Sequence, residues 1–427
     1  MSEKVLAQMG LWRHRDFLLL WGGQTVSQLG SQVTQWALPL TAVLLLNATT
    51  EQMGLLVAVR SVPYLLIGLF AGVWVDRVRR RPVMIAADIG RAVLLGSIPL
   101  AAWLGWLSMT QFYVIGFLTG TLSIFFDAAY QSFLPSLVSR DQLVEGNSKL
   151  EASAAVASVA GPGMAGGLVQ LLTGPGAILI DALSFVVSVL SLAFIRVQER
   201  VHISEKLQRP QMRREISEGL QIVLRQPVVR ALAGASGLFN FFDSLLMAVY
   251  VLYLMRTIGV TPVVVGVVFA LGGVGSLLGA VLTQWVTRAV GFGRALLGGV
   301  LLASVAELVI ALANGPLLIA TLVVIIGEAS VQAGAVVYRI NGKSLRQAIV
   351  PDRLQGRVSA TTNIISLGAV PLGALLGGLL GDWFGLRLTV LIAGAGTLLA
   401  FLWVLASPVR QLHEQPTEPD DGVEMGE

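Results

Sequence analysis

The sequence predicts an all-α membrane protein with twelve transmembrane helices in two six-helix, pseudo-symmetric bundles. Three observations carry that prediction. Only 13% of the 427 residues are charged while 55% are hydrophobic, against about 25% charged in ordinary soluble domains. The apolar residues come in runs long enough to cross hydrocarbon, which takes about 20 residues. The two halves of the chain also carry matching phrases. So few charges leave too little polar surface to cover a water-soluble protein of this size, so lipid is the expected solvent for most of the chain.

The spans read from the apolar runs and their breaks are 17–46, 52–75, 82–105, 109–135, 146–172, 175–195, 229–255, 262–286, 292–313, 315–338, 357–381 and 386–407. Short connections between most of them suit antiparallel neighbours. Lys and Arg accumulate on the cytoplasmic side of a membrane. With a cytoplasmic N-terminus, 25 of the 29 basic residues fall on that side and only Arg256 and Arg387 on the other, while Arg60 and Arg91 lie inside spans. Both termini are therefore expected in the cytoplasm, in a multi-pass protein of a bacterial inner (plasma) membrane. The polar start Met1–Asp16, followed by a run too long for a signal h-region, gives no expectation of a cleaved signal peptide.

The longest connection separates six spans from six. The organisation read from it is an N-terminal bundle over 1–196, a cytoplasmic linker over 197–228, a C-terminal bundle over 229–410 and a disordered acidic tail over 411–427. Inside the linker, Met212–Leu224 sets Ile216, Leu220 and Val223 on one helical face against Arg213, Arg214 and Glu218. That pattern suits a helix lying on a membrane surface and equally a solvated connector. Ser136-Leu-Val-Ser-Arg-Asp-Gln-Leu143 precedes span five and Ala348-Ile-Val-Pro-Asp-Arg-Leu354 precedes span eleven, with Leu143 and Leu354 211 positions apart. Each phrase runs into a helix rich in small residues. Duplication around a midplane site is the plan of many secondary transporters.

Other classes find little support. The chain has no Cys, and its three His (His14, His202, His413) lie outside the spans, so no metal site and no cofactor is expected. No Gly-x-x-x-x-Gly-Lys-Ser/Thr loop is present for a nucleotide. No nucleophile–base set emerges, so an enzyme is not expected. The net charge of +4 reflects orientation in a membrane, not nucleic-acid binding.

The loop Gly72-Val-Trp-Val-Asp76-Arg77-Val-Arg79-Arg80-Arg81 resembles the Gly-x-x-x-Asp-Arg-x-Gly-Arg-Arg signature of the major facilitator superfamily, with Arg79 in place of the second Gly. Gly72 would let two helices approach closely, Asp76 would cap or pair with a neighbouring helix end, and Arg77, Arg80 and Arg81 would stay in the headgroup layer. Such a cluster either latches one half to the other in one conformation or serves orientation alone. Gly161-Pro162-Gly-Met-Ala165-Gly166 resembles the Gly-Pro-x-x-Gly-Gly antiporter signature of the same superfamily, with Ala165 replacing a Gly. Its proline removes a helix hydrogen bond and its small residues permit a tight crossing, in a rocking interface or in ordinary packing. With Ile180-Asp181-Ala-Leu-Ser184-Phe185 and Pro351-Asp-Arg-Leu-Gln-Gly356-Arg357-Val358, the pattern looks like the drug:proton antiporter branch that includes macrolide-efflux proteins and the enterobactin exporter.

That resemblance implies the major facilitator fold, with helices one, four, seven and ten lining a central cavity. An ionised side chain in hydrocarbon costs at least about 2.5–3.5 kcal/mol on insertion scales, so each needs an account. Asp243 shares a face with Ser236, Phe239, Asn240, Met247 and Tyr250, and Glu328 has Gln332 one turn on. Both acids are proton-coupling candidates; the alternative is that each is fixed in an interhelical bond. Phe239, Asn240, Tyr250 and Gln332 are read as cavity residues. So are Gln24, Gln28, Gln32 and Trp36 of the first span, whose glutamines otherwise serve helix packing. Asp127 is assigned to the latch as a partner for Arg77, and Asp88 and Arg91, three residues apart, neutralise each other. Arg60 either binds an anionic group of the substrate or pairs with an acid across the bundle. Glu307 falls on a helix the resemblance makes peripheral.

The function this implies is proton-coupled export of amphipathic small molecules, of multidrug or macrolide type, by alternating access. A siderophore exporter and a lysophospholipid flippase of the same fold are the alternatives. The expected partners are a small-molecule substrate, protons and the lipid bilayer, acting on a monomer.

Overall fold

Hydrocarbon offers no water to the backbone, so a spanning segment must bond every N–H and C=O within itself. A computed structural model of the chain describes residues 11–75, 77–196 and 218–412, and among them there is no strand. The helices are α1 (Arg15–Leu45), α2 (Thr50–Val75), α3 (Arg80–Trp103) and α4 (Met109–Leu137). A run over Leu143–Phe194 follows, broken where Thr173 adopts φ 67° and ψ 167°; residues 143–172 are α5 and 174–194 are α6. Then come α7 (Pro227–Leu252, continued by a π-helical turn over Tyr253–Ile258), α8 (Pro262–Val290), α9 (Phe292–Ala311), α10 (Leu317–Ile349), α11 (Asp352–Phe384) and α12 (Leu386–Leu405).

Among the described residues, nine runs are long and apolar enough to cross a membrane, with Leu143–Phe194 counted once. α1 and α2 are not among them, yet at 31 and 26 residues both exceed the ~20 needed, and α1 carries its apolar surface beside a glutamine stripe. Trp103, Leu171 and Val281 are 83%, 80% and 77% exposed, as suits a surface solvated by lipid. Gly291 and Gly385, at φ 86° and 80°, are the single residues that turn α8 into α9 and α11 into α12; side chains rarely tolerate that backbone region.

The chain divides into two compact units. The first holds α1–α6 together with residues 261–270 at the start of α8, and the second holds α7, the remainder of α8 and α9–α12. In the first unit α1 packs on α5 and α6, and α3 on α4 and α6; in the second α7 packs on α11 and α12, and α9 on α10 and α12. The neighbour plan thus repeats, as duplicated halves require. Phe17, Met84, Phe133 and Leu192 centre one core, and Leu232, Leu296, Tyr338 and Val404 one in the other unit. Small residues let the backbones meet: a Cβ on Gly373 or Gly377 of α11 would crowd the α7 backbone at Phe241 and Leu245.

α10 runs to Ile349, eleven residues past the predicted end of its span at 338. Hydropathy marks the thickness of the membrane, whereas a helix ends where its capping and packing end, so the basic stretch read as loop is helical. Residues 218–225 are helical too, with Val223 buried against Val229, Val350 and Val358, Leu220 exposed, and Glu218 paired with Arg357. The apolar face predicted for this segment is therefore divided between protein and surroundings. Ile216, with residues 197–217 of the linker and 413–427 of the acidic tail, lies outside the described residues.

Filling a tight crossing costs about 1–3 kcal/mol. Gly373→Leu is expected to lower the melting temperature of the detergent-solubilised protein in a fluorescence-detected gel-filtration assay. Gly298→Ala, whose added Cβ meets nothing within 4 Å, is expected to leave it unchanged.

Candidate functional site

A cavity of about 390 Å³ lies inside the second unit between α7, α10 and α11. α7 presents Ser236, Phe239, Asn240 and Asp243 to it, a spacing of three, four and seven that puts all four on one helical face. The Ser236 and Tyr338 hydroxyls are hydrogen-bonded at 2.9 Å, Asn240 Nδ2 donates to the Ser236 carbonyl at 2.8 Å, and Phe239 stacks on Tyr338 with centroids 6.4 Å apart. α10 adds Gln332, Arg339, Lys343 and Arg346, and α11 adds Thr362, Asn363 and Ser366. Asp243 is half-buried on this wall, and Arg339 is the cation acting on it.

Gln332 joins the cavity to the interior. It lines the wall, and its Nε2 donates to Glu328 Oε1 at 3.0 Å. Glu328 is only 1% exposed, and the fully buried Tyr250 places its hydroxyl beside it. Tyr250 thus belongs behind the cavity wall, because its side chain turns toward the two buried glutamates. Glu307 on α9 is also fully buried. Its Oε2 accepts from Thr397 Oγ1 of α12 at 3.0 Å, its Oε1 has no hydrogen-bond partner among the described residues, and Asp243 and Glu328 are the charges acting on it. On the helix expected to be peripheral, Glu307 thus occupies the inward face, against α12.

The first unit holds a second buried polar group. Asp88 and Arg91 form an ion pair with side chains 0% and 8% exposed. The Arg91 guanidinium also lies 4.4 Å from the Phe126 ring centroid and 4.3 Å from that of Phe185, within cation–π range. On α6, Asp181 is 1% exposed and accepts from Ser184 Oγ at 3.1 Å, with Thr34 of α1 facing it. In the sequence Asp181 stood out only as part of a family phrase; an acid in mid-span was signal enough to mark it as buried.

A family model described as Major Facilitator Superfamily matches residues 20–367 and 232–425. The chain belongs to that superfamily. Relatives include the multidrug efflux pump Tap of Mycolicibacterium fortuitum, 29% identical over 90% of this chain and 93% of that protein. Macrolide efflux protein A of Streptococcus pyogenes is 25% identical over 93% of this chain and 96% of its own length. These place the chain near the drug-efflux branch. Among solved structures, a bacterial homologue of the iron transporter ferroportin in an inward-facing state superposes with a TM-score of 0.75 at 18% identity, covering 93% of this chain and 99% of that one. A point mutant of the nucleoside transporter NupG superposes with a TM-score of 0.76 at 9% identity, covering 92% and 99%. Both likenesses concern the fold. The chain is thus an all-α multi-pass transporter of a family that is not enzymatic.

The superfamily motifs take concrete positions. Asp76 lies outside the described residues. A Cβ on Gly72 would meet nothing within 4 Å, so the close approach expected there is absent among the described residues. Arg77 is exposed and Arg80 half-buried. Arg81 donates to the carbonyls of Leu192 (2.7 Å) and Ala193 (2.5 Å), at the end of α6 where orphan carbonyls and the helix dipole favour a cation. Asp127 is exposed, and Arg91 is the cation acting on it, where Arg77 was expected. Arg60 pairs with no acid among the described residues. Its Nη1 reaches the Gln35 carbonyl at 3.5 Å while its stem lies on Gly116.

On α1, Gln24, Gln28 and Gln32 face protein, while Gln35 is exposed. Gln24 donates to Ser188 Oγ at 3.1 Å and is 4% exposed, Gln28 keeps a buried Oε1, and Gln32 covers Gly161 of α5. For Gln24 this corrects a cavity role to a packing one, since α1 rests on α6 along that face. Trp36 stacks on Phe269 with centroids 3.7 Å apart. Near Pro162, Gly166 lies against Gly266, where an added Cβ would stand 3.1 Å from the Gly266 Cα; the tight crossing implied by this motif is present, inside the first unit.

Removing one partner of a buried pair costs about 3–5 kcal/mol because the other charge is left alone. Arg91→Gln is expected to lower the melting temperature sharply, and adding Asp88→Asn to recover part of the loss, by the same gel-filtration assay.

Proposed function

We propose that this transporter exports amphipathic small molecules in exchange for protons, by alternating access, as a monomer in a bacterial inner membrane with both termini cytoplasmic. The observation that supports it best is the continuous link from the cavity wall through Gln332 to buried Glu328, with Asp243 on the same wall. An ionised carboxylate in hydrocarbon costs at least about 2.5 kcal/mol, so its ionisation is tied to how water and neighbours wrap it. A substrate that engages Gln332 competes for the amide that holds Glu328. Substrate occupancy and the state of the carboxyl are then coupled through one side chain. In the cycle, substrate enters from the cytoplasm or inner leaflet, a carboxyl gives up its proton, and reprotonation from outside resets the carrier. Relatives that are efflux pumps support the direction.

A lysophospholipid flippase or siderophore exporter of the same fold is the second reading, favoured by the basic residues on the cavity wall. Expression in an efflux-deficient bacterium, across a drug panel with and without a protonophore, separates the readings. Protonophore-sensitive resistance is expected; lysolipid uptake without resistance overturns drug export. Glu328→Gln and Asp243→Asn are each expected to lower pH-gradient-driven efflux at least about tenfold, roughly 1.4 kcal/mol of transition-state free energy, with insertion unchanged by surface labelling. Undiminished efflux in both variants removes them as coupling sites.

A further inference from the structure

Arg339, Lys343 and Arg346 stand four and three residues apart on α10, so they share one helical face, and that face is part of the wall of the 390 Å³ cavity. Against these three cations the described cavity lining carries a single carboxylate, Asp243, and Arg339 acts on it. Lys343 and Arg346 remain. Among the described residues neither forms an ion pair. Lys343 is exposed and Arg346 half-buried, and both line a recess shared with the neutral hydrogen-bonding groups of Asn363, Thr362 and Ser236. Like charges at this spacing repel along a helix, and low-dielectric walls focus their field into the recess. Phe239 and Val331 give the same recess an apolar side.

We propose that the second unit's cavity receives the anionic group of its substrate, a carboxylate or a phosphate ester, at Lys343 and Arg346, with the substrate's apolar part toward Phe239 and Val331. The planar guanidinium of Arg346 matches two oxygens of either group, and the ammonium of Lys343 supplies a compact charge beside it. Both anions offer the oxygens this pair requires, and both are carried by soluble amphiphiles and by lysolipids. The inference rests on the transport reading only in taking the ligand as a transported substrate. The charge selection stands on the cavity wall.

The test is scintillation-proximity binding of tritiated octyl phosphate to the purified full chain in nanodiscs of uncharged lipid. Octanoate is expected to displace the probe at a concentration at least about tenfold below that of octyltrimethylammonium, a difference of about 1.4 kcal/mol. Lys343→Gln with Arg346→Gln is expected to weaken octyl phosphate binding at least about tenfold, while Lys343→Arg alone stays within about threefold, because both charges and the Arg346 fork persist. Displacement by lysophosphatidic acid well below octyl phosphate itself identifies a lipid source, equal displacement a soluble one, and both support the anion site. Equal or tighter binding of octyltrimethylammonium overturns the proposal, as does a Gln double variant, monodisperse by gel filtration, that binds octyl phosphate like the parent. The same preparations in proteoliposomes are assayed for pH-gradient-driven flux. Anion binding without such flux sinks the export reading and leaves the site; proton-driven efflux of cations with no anion preference sinks the site alone.

Discussion

Hydrocarbon supplies no hydrogen bonds, and the rest of this molecule follows from that. The backbone must satisfy itself, which makes the described residues helical wherever they span. Side chains that cannot be satisfied locally are drawn into groups inside each unit. The polar interior is therefore concentrated: Asp88, Arg91 and Asp181 in the first unit, Asp243, Glu307 and Glu328 in the second. Between these groups the helices meet through small residues, since lipid provides no hydrophobic gain for bringing apolar faces together.

The two units handle charge differently. In the first, a carboxylate is matched by a guanidinium that is held between two aromatic rings and is nearly removed from solvent. Such an arrangement is costly to open and suits a fixed brace. In the second, the buried glutamates are held by neutral partners, Gln332 for Glu328 and Thr397 for Glu307, and the cations stand apart on the cavity wall. Amide and hydroxyl partners serve a carboxyl in either protonation state, whereas a buried guanidinium holds it to one. Asp181 of the first unit has a neutral hydroxyl partner as well; the second unit adds a cavity wall joined to such a carboxyl through Gln332.

Much of this was legible in the chain. The positions of the spans follow from hydropathy, though the end of α10 does not, and the predicted gap between spans five and six falls at Thr173, where the helical run is broken. The Asp88–Arg91 pair was readable from a spacing of three, and the Ser236, Phe239, Asn240 and Asp243 stripe from helical periodicity, because both relations are local to one helix. Relations between helices were not. Asp127 turned to Arg91 and not Arg77, Gln24 to Ser188, and Tyr250 to Glu328, since a helix position names a face but not the neighbour that face meets. That Glu307 faces Thr397 of α12 was not legible for the same reason.

Composition, charge asymmetry and the two superfamily motifs by themselves determined that this is a helical membrane transporter built of two similar halves. Those properties are sums over the chain or patterns within a single segment, so no packing is needed to read them. The tertiary structure alone decided that α10 continues through its basic stretch, bringing Arg339, Lys343 and Arg346 to a cavity wall, and that Gln332 bridges this wall to a buried glutamate. Both depend on which faces of α7, α10 and α11 meet. That choice is made by close packing over the whole unit, and no local stretch of sequence contains it.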